Sequence, residues 1–455
     1  MRFTFWLSLA LLLCPALAAP IATAEAVAPR PPLILITIDT LRADHLGCYG
    51  YPRATSPNID AFAAEALLFE NAYAPMPTTL PSHVSLLTSS LPARHGVLSN
   101  FRYLQIPLVT SDDSELRSVA QWLGEAGYQT AAFTSASPLS RGTGIDAGFA
   151  HFDAPPPFDE GGESIRRDAS ETVSLALDWL ATADPAVPLF LWVHVFDPHL
   201  PYEPPAPHDT AFGEADRDAQ ITDLNARGVA RPLHRFVANS TNLYDGEIRF
   251  TDAEVGRFFG ALRERGLYEP AVIVLTGDHG EGLHQHGEPG HDQLWRSTLS
   301  VPLIARWPRG PRGERSTVVA SLVDVLPTLR AHTKLPLSRA SFDGSDLLAE
   351  DAETTRAVLS QEPLRSTAPT ERTFVLSEGP WRFWWLNHGP SRLYNLEQDP
   401  HELRDVLADH PEVAARLRAR IDDLLADARK RPGIEVSDEI DPALRKRLIE
   451  LGYAE

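Results

Sequence analysis

The strongest chemical signal in the chain is Asp278-His279-Gly280, in the segment LTGDHGEGLHQHG. Aspartate beside histidine can turn both side chains toward one cation if the next glycine lets the chain bend sharply. The same residues could also form an ordinary turn in which Asp278 caps a helix. Asp39, in LILITIDT, carries the same two readings. Thr79 opens TLPSHVSLL and leads into a short helix, with His83 four residues on. A threonine there is either a helix cap or a nucleophile. Its hydroxyl attacks poorly until a metal lowers its pKa or a base takes its proton. Pro81 fits a first helical turn, and a helix N-terminus favours a nearby anion, so the place suits a phosphate- or sulfate-like group. His199, in DPHLPYEPP, and His291, in HGEPGHDQLW, could each protonate a leaving group or hold an anionic oxygen. Either could equally be a structural histidine in a turn.

The elements that must position these residues alternate along the chain. PPLILITIDT, PLFLWVHVFD and AVIVLTGDHG are apolar runs ending in polar turns, as strands buried on both faces read. YQTAAFTS and VPLIARWP are further strands. Helices are predicted over residues 56–69, 114–126, 173–181 and 252–265. This alternation predicts an α/β fold: a large, mostly parallel sheet sandwiched by helices. Ligand sites in such sheets lie beyond the carboxyl ends of the strands. Asp39, then His194, Asp197 and His199, then Asp278 and His279 stand at or just past three such ends. Past about residue 340 the pattern changes to antiparallel strands, TFVLSEGPWRFWWLN and SRLYNLEQDP, and an amphipathic helix over 411–430. We therefore expect a catalytic domain over 30–340 and a small C-terminal α+β subdomain over 341–455.

The chain of 455 residues is 43% apolar, enough for a full core, and its formal charge of −20 argues against nucleic acid as a partner. An anionic substrate would need a local positive site. Residues 1–19 read as a signal peptide: Arg2, an apolar run, then Ala16-Leu17-Ala18. That run is too short for a membrane span, no later segment is long and apolar enough, and Leu13 is too bulky to precede a lipidated Cys14. The expected location is outside the cytoplasm, periplasmic or secreted. Removing Cys14 leaves Cys48 as the only cysteine and no internal disulfide.

In this order the motifs resemble the sulfatase branch of the alkaline phosphatase superfamily. LILITIDTLRADHLGCYGY resembles that family's opening strand and metal loop, TTLPSHVSLLTSSLPARHGV its nucleophile segment, and FLWVHVFDPHLPYEPP and LTGDHGEGLHQHG its later landmarks. The resemblance spans about residues 31–427. It implies an alkaline phosphatase-like fold and a metal-dependent hydrolase of sulfate or phosphate esters. Asp39, Thr79, Asp278 and His279 would be the metal ligands and Thr79 the nucleophile. His199, His291 and, less directly, His83 would be the other catalytic residues.

The departures from the family pattern are informative. The family's cysteine or serine in C/S-x-P-x-R, which becomes formylglycine, is Thr79 here, so no formylglycine is expected. His83 replaces the arginine. Thr40 stands where a second aspartate is usual. Mixed nitrogen and oxygen donors favour one Zn²⁺ or Mn²⁺ over Ca²⁺ or Mg²⁺. Threonine lacks the gem-diol of formylglycine, which tilts the reading toward phosphoryl transfer. The expected partner is an anionic ester on a glycan or a lipid headgroup. Two alternatives remain: a transferase of the phosphoethanolamine or glycerol-phosphate type, and a non-catalytic sulfatase-like binding protein.

Overall fold

The structure is a computed structural model; it describes residues 30–100, 116–156, 166–213, 217–333, 336, 341–350, 352, 356–364 and 370–430. The leader expected over 1–19 lies outside them.

Eight strands form the main sheet: β1 (Leu33–Ile38), β2 (Leu67–Tyr73), β3 (Gln129–Phe133), β4 (His151–Asp153), β5 (Leu189–Val195), β6 (Val272–Gly277), β7 (Ser300–Arg306) and β8 (Glu314–Ser321). Their order is β4-β3-β5-β1-β6-β7-β2-β8. All neighbours pair in parallel except β7, which runs against both β6 and β2. The sheet is mixed and mostly parallel, as the alternation of elements predicts. Four more strands, β9 (Ala357–Gln361), β10 (Thr373–Glu378), β11 (Trp381–Leu386) and β12 (Arg392–Asn395), make a small antiparallel sheet.

The helices used below are α1 (Pro57–Ala63), α2 (Thr79–Thr88), α3 (Val119–Glu125), α4 (Ala169–Thr182), α5 (Arg217–Ala226), α6 (His234–Glu264), α7 (Val325–Thr333) and α8 (Pro411–Lys430). Alternating residues of the central strands feed two cores. Leu33, Leu35, Phe190, Trp192, Val272 and Val274 pack with α2, α3 and α7. Ile34, Ile36, Ile38, Leu191, Ile273 and Leu275 pack with α1, α4 and α6. Period-two alternation thus buries both faces, which is why these strands are apolar throughout. The small sheet sets Leu359, Phe374, Leu376 and Phe383 against Leu417, Ile421 and Leu425 of α8, and turns Val358, Val375, Trp384 and Tyr394 toward the first core.

Four expected helices have different bounds; the one over 173–181 runs over Ala169–Thr182, after an Asp168 cap. The one over 56–69 stops at Ala63, and Leu67–Tyr73 forms β2 instead. The one over 114–126 begins at Val119, after a reciprocal cap. Ser118 Oγ accepts the Gln121 amide at 3.2 Å, and the Gln121 side chain accepts the Ser118 amide at 2.8 Å. The one over 252–265 is only the C-terminal part of a 31-residue helix, α6, which ends at Glu264. Among the described residues no helix is long and apolar enough to cross a membrane.

Candidate active site

Strand register brings the acids together. Ile38 of β1 pairs with Val195 of β5 and Gly277 of β6. The next residue out of β1 is Asp39 and the next out of β6 is Asp278, so the two stand side by side on the rim, with His279 following. A Cβ on Gly280 would collide with the Ser297 carbonyl oxygen, so only glycine lets the chain pass there.

The fourth group comes from α2. Its N-cap is Thr78, in extended conformation and without a side-chain cap bond, so Thr79 is the first helical residue and its hydroxyl caps nothing. Ser82 Oγ donates to the Asp278 carbonyl at 2.7 Å and pins this turn to the end of β6. Thr79 Oγ1 lies 3.5 Å from His279 Nε2. The same nitrogen is 3.7 Å from Asp39 Oδ1 and 3.6 Å from Asp278 Oδ2.

These separations are too long for hydrogen bonds. They match donors that share a cation: atoms about 2.1 Å from a tetrahedral centre lie about 3.4 Å from one another. All four residues are buried, yet both Asp39 oxygens and Asp278 Oδ2 have no partner in the protein. A buried carboxylate oxygen left alone is costly. Burial pushes the Asp39 carboxyl up to about 7, only partly offset by His291 and the Thr40 amide. Burial and then the Asp39 charge push Asp278 well above the carboxylate range, while burial and His291 hold His279 well below the usual imidazole value. A divalent ion among these donors would relieve all three penalties at once. The Asp278 Oδ1 atom is already used, accepting the amides of His279 at 2.7 Å and Thr40 at 3.2 Å. Thr40 adopts φ 52°, and its buried hydroxyl has no partner.

His291 and His199 stand together at the less buried side. The His291 ring centroid is 4.3 Å from that of His279. His199 Nδ1–H donates to the Leu200 carbonyl at 2.6 Å, which leaves its Nε2 as an acceptor. His291 then donates at both ends: Nδ1–H to the Pro77 carbonyl at 2.9 Å and Nε2–H to His199 Nε2 at 3.3 Å. A ring that donates twice is the imidazolium. Burial opposes that charge, but Glu281, the Pro77 carbonyl and Asp292 together raise His291 above its usual value. His199, depressed to about 3 by burial and by His291, is the neutral partner.

His83 is placed differently. Its Nδ1–H donates to the Thr79 carbonyl at 2.8 Å and its Nε2 accepts from Thr37 Oγ1 at 3.0 Å, so both nitrogens are engaged inside the protein. Trp192 Nε1–H donates to the same Thr37 oxygen at 2.9 Å and fixes that arrangement. His83 holds the backbone of Thr79 rather than facing the cluster with a free nitrogen. A residue outside the expected set also belongs here. His194 Nε2 points at Asp39 Oδ2 from 3.5 Å and has no other partner. The register of Thr37 with His194 sets that contact. The sequence signal was a histidine inside an otherwise apolar strand.

Glu247 of α6 is pushed up to about 8 by burial and by the neighbouring Asp197, itself raised to about 6. Between the ordinary glutamate value of 4.5 and about 8, the unfolded chain has lost this proton and the folded chain keeps it. Stability therefore falls as pH rises through that window. Glu247→Gln keeps the acceptor for the Glu203 amide and removes the proton. Its melting temperature should rise relative to wild type between pH 5 and pH 8 by a few degrees; parallel pH profiles would contradict the pairing.

The sulfatase family model matches residues 31–335. An arylsulfatase of Clostridium perfringens is 24% identical, over 83% of this chain and 90% of its own. An N-acetylgalactosamine-6-O-sulfatase of Bacteroides thetaiotaomicron is 23% identical, over 85% of this chain and 92% of its own. The crystal structure of a phosphonate monoester hydrolase of Agrobacterium radiobacter shares the fold, with TM-score 0.70, 20% identity, and coverage of 88% of this chain and 96% of that one. With the family model spanning two thirds of its length, the chain belongs to the sulfatase family.

Proposed function

We propose that the chain is an exported, metal-dependent hydrolase of sulfate or phosphate esters in which Thr79 is the nucleophile. The observation that supports this most is the 3.5 Å between Thr79 Oγ1 and His279 Nε2, beside unpartnered oxygens of Asp39 and Asp278. Asp39, Asp278, His279 and Thr79 would hold one divalent ion, zinc or manganese by their mixed donors, which supplies positive charge to the Thr79 hydroxyl and to the ester oxygens.

Thr79 loses its proton to solvent and its oxygen attacks the central phosphorus or sulfur in line. The bond to the leaving oxygen breaks, and that oxygen takes the Nε2 proton of His291. His199 accepts from His291 in the resting site and aims that proton. Water then cleaves the Thr79 ester and releases the inorganic anion. His83 and His194 hold the Thr79 carbonyl and the Asp39 carboxylate in place. A threonine ester cannot expel sulfate by the formylglycine route, so phosphoryl transfer is the favoured chemistry. The name of the Bacteroides relative points to a sugar ester as the substrate class.

The test is a panel of p-nitrophenyl sulfate, phosphate, phosphodiester and phosphonate, with and without added Zn²⁺ or Mn²⁺. At least one ester should turn over, and only with metal; failure of all four would reject the proposal. His291→Ala separates the acid from the nucleophile. It should lower kcat about 10²-fold or more on an alkyl ester, whose leaving group needs a proton, and far less on the p-nitrophenyl ester. Equal losses on both would remove His291 from that role.

A further inference from the structure

A cavity of about 460 Å³, with charged groups set in a mostly apolar wall, is lined by other residues than the cluster just described. None of Asp39, Thr79, Asp278, His279, His199 or His291 lines it. Its walls come from four remote segments and bring together Arg42, Arg53, Arg227 and Arg296, against the carboxylates of Asp44 and Asp223. Arg53 is paired with Asp245 at 2.7 Å, so three carboxylates meet four guanidinium groups and the excess is a single positive charge, in a chain of charge −20. Arg42 and Arg227 share Asp44, with Arg42 Nε at 2.9 Å and Arg227 Nη1 at 3.0 Å from its oxygens. Arg227 Nε also lies 2.6 Å from Asp223 Oδ2, so Asp44 and Asp223 balance and orient these two guanidinium groups. Arg296 is freer. Its Nε–H is buried with no acceptor, and its Nη1 makes only a 3.4 Å contact with the Pro400 carbonyl. A buried donor without an acceptor in a cationic cavity indicates an anion as the missing partner.

The remaining wall limits what carries that anion. The rings of Tyr49 and Tyr51 line the same space, and Tyr51 is fixed by a 2.7 Å bond to Asp245. Aromatic rings beside guanidinium groups suit a ring that offers a face of C–H groups and bears an anionic substituent. The volume falls in the range of about 300–1,000 Å³ usual for small-molecule sites. We propose that this cavity is a second binding site for one anionic sugar unit, its sulfate or carboxylate held by Arg296 and Arg227 and its ring against Tyr49 and Tyr51. The site makes no use of the catalytic cluster. It gives the protein a hold on an anionic saccharide independent of the bond that is cut.

The test is titration calorimetry of full-length protein with glucose 6-sulfate, glucuronate, glucose and inorganic sulfate. The two charged sugars should bind saturably, and more tightly than either glucose or sulfate alone. Arg296→Gln should weaken them about tenfold, the loss of one charge-assisted bond. Ala219→Glu places a carboxylate on the exposed cavity wall without removing any native bond, and should weaken them at least as much. Both variants should keep kcat/KM on the best p-nitrophenyl ester within about twofold. Charged sugars that bind both variants as they bind wild type would overturn the site, as would glucose or inorganic sulfate binding equally well. Because the readout is binding, absence of turnover on every ester would refute the catalytic reading and leave this result standing.

Discussion

Thr79→Ala should lose turnover on the best ester by at least about 10⁴-fold, because removing a nucleophile leaves only the binding and electrostatic parts of catalysis. The variant keeps Asp39, Asp278 and His279, so it should still take up metal and bind the ester with little change in affinity. The fold should hold as well. The Thr79 hydroxyl caps nothing, and the turn is held by Ser82, by Asn100 Oδ1 on the Leu80 amide at 2.8 Å, and by His83 on the Thr79 carbonyl. Thr79→Ser, which keeps the oxygen, should recover most of the loss. An alanine variant with wild-type kcat would show that the hydroxyl is a spectator.

The second large effect concerns Asp278, whose two oxygens do different work. Oδ1 accepts the His279 and Thr40 amides, while Oδ2 faces the cluster unpartnered. Asn at this position keeps the first role and turns donors toward the place of a cation. Metal content, expected near one ion per chain in the wild type, should fall to a small fraction, and kcat should fall about 10³-fold. Stability should change sign with metal. Loaded wild type should melt above Asp278→Asn, since binding to the folded state stabilises it. After chelation the order should reverse, because the variant no longer forces two buried acids together. Equal melting temperatures in both states would mean that no cation belongs to these acids. The measurements are metal analysis, steady-state kinetics and thermal melts with and without chelator.

Much of this was legible in the sequence for a definite reason. β1, β5 and β6 are buried on both faces, so they stand out as apolar runs, and the residues ending them had to share a rim. β2 was not legible because Leu67–Tyr73 follows α1 after a short turn, and its leucines extend the helical pattern. β8 is an edge strand with an exposed first half, so it lacks an apolar signature. The first two turns and middle of α6 were hidden because its inner face buries Asp245 and Glu247 in polar contacts where an apolar stripe would otherwise show. At the site, Asp39, Asp278 and His279 could be named from strand ends. His194 was placed at a strand end but given no role, because its contact with Asp39 depends on a register with Thr37 that only the sheet order sets. The arginine cavity was out of reach for the same reason: residues 42, 53, 227 and 296 meet only after folding.

The central claim is that the residue-79 oxygen receives the transferred group. Its most direct test is the mass of the tryptic peptide covering residues 54–94, after acid quench during turnover of the best ester. The account predicts that this peptide gains one phosphoryl or sulfuryl group, located by fragmentation at Thr79 and absent in Thr79→Ala. Sustained turnover with no modified peptide, or with the group on another residue, would contradict it.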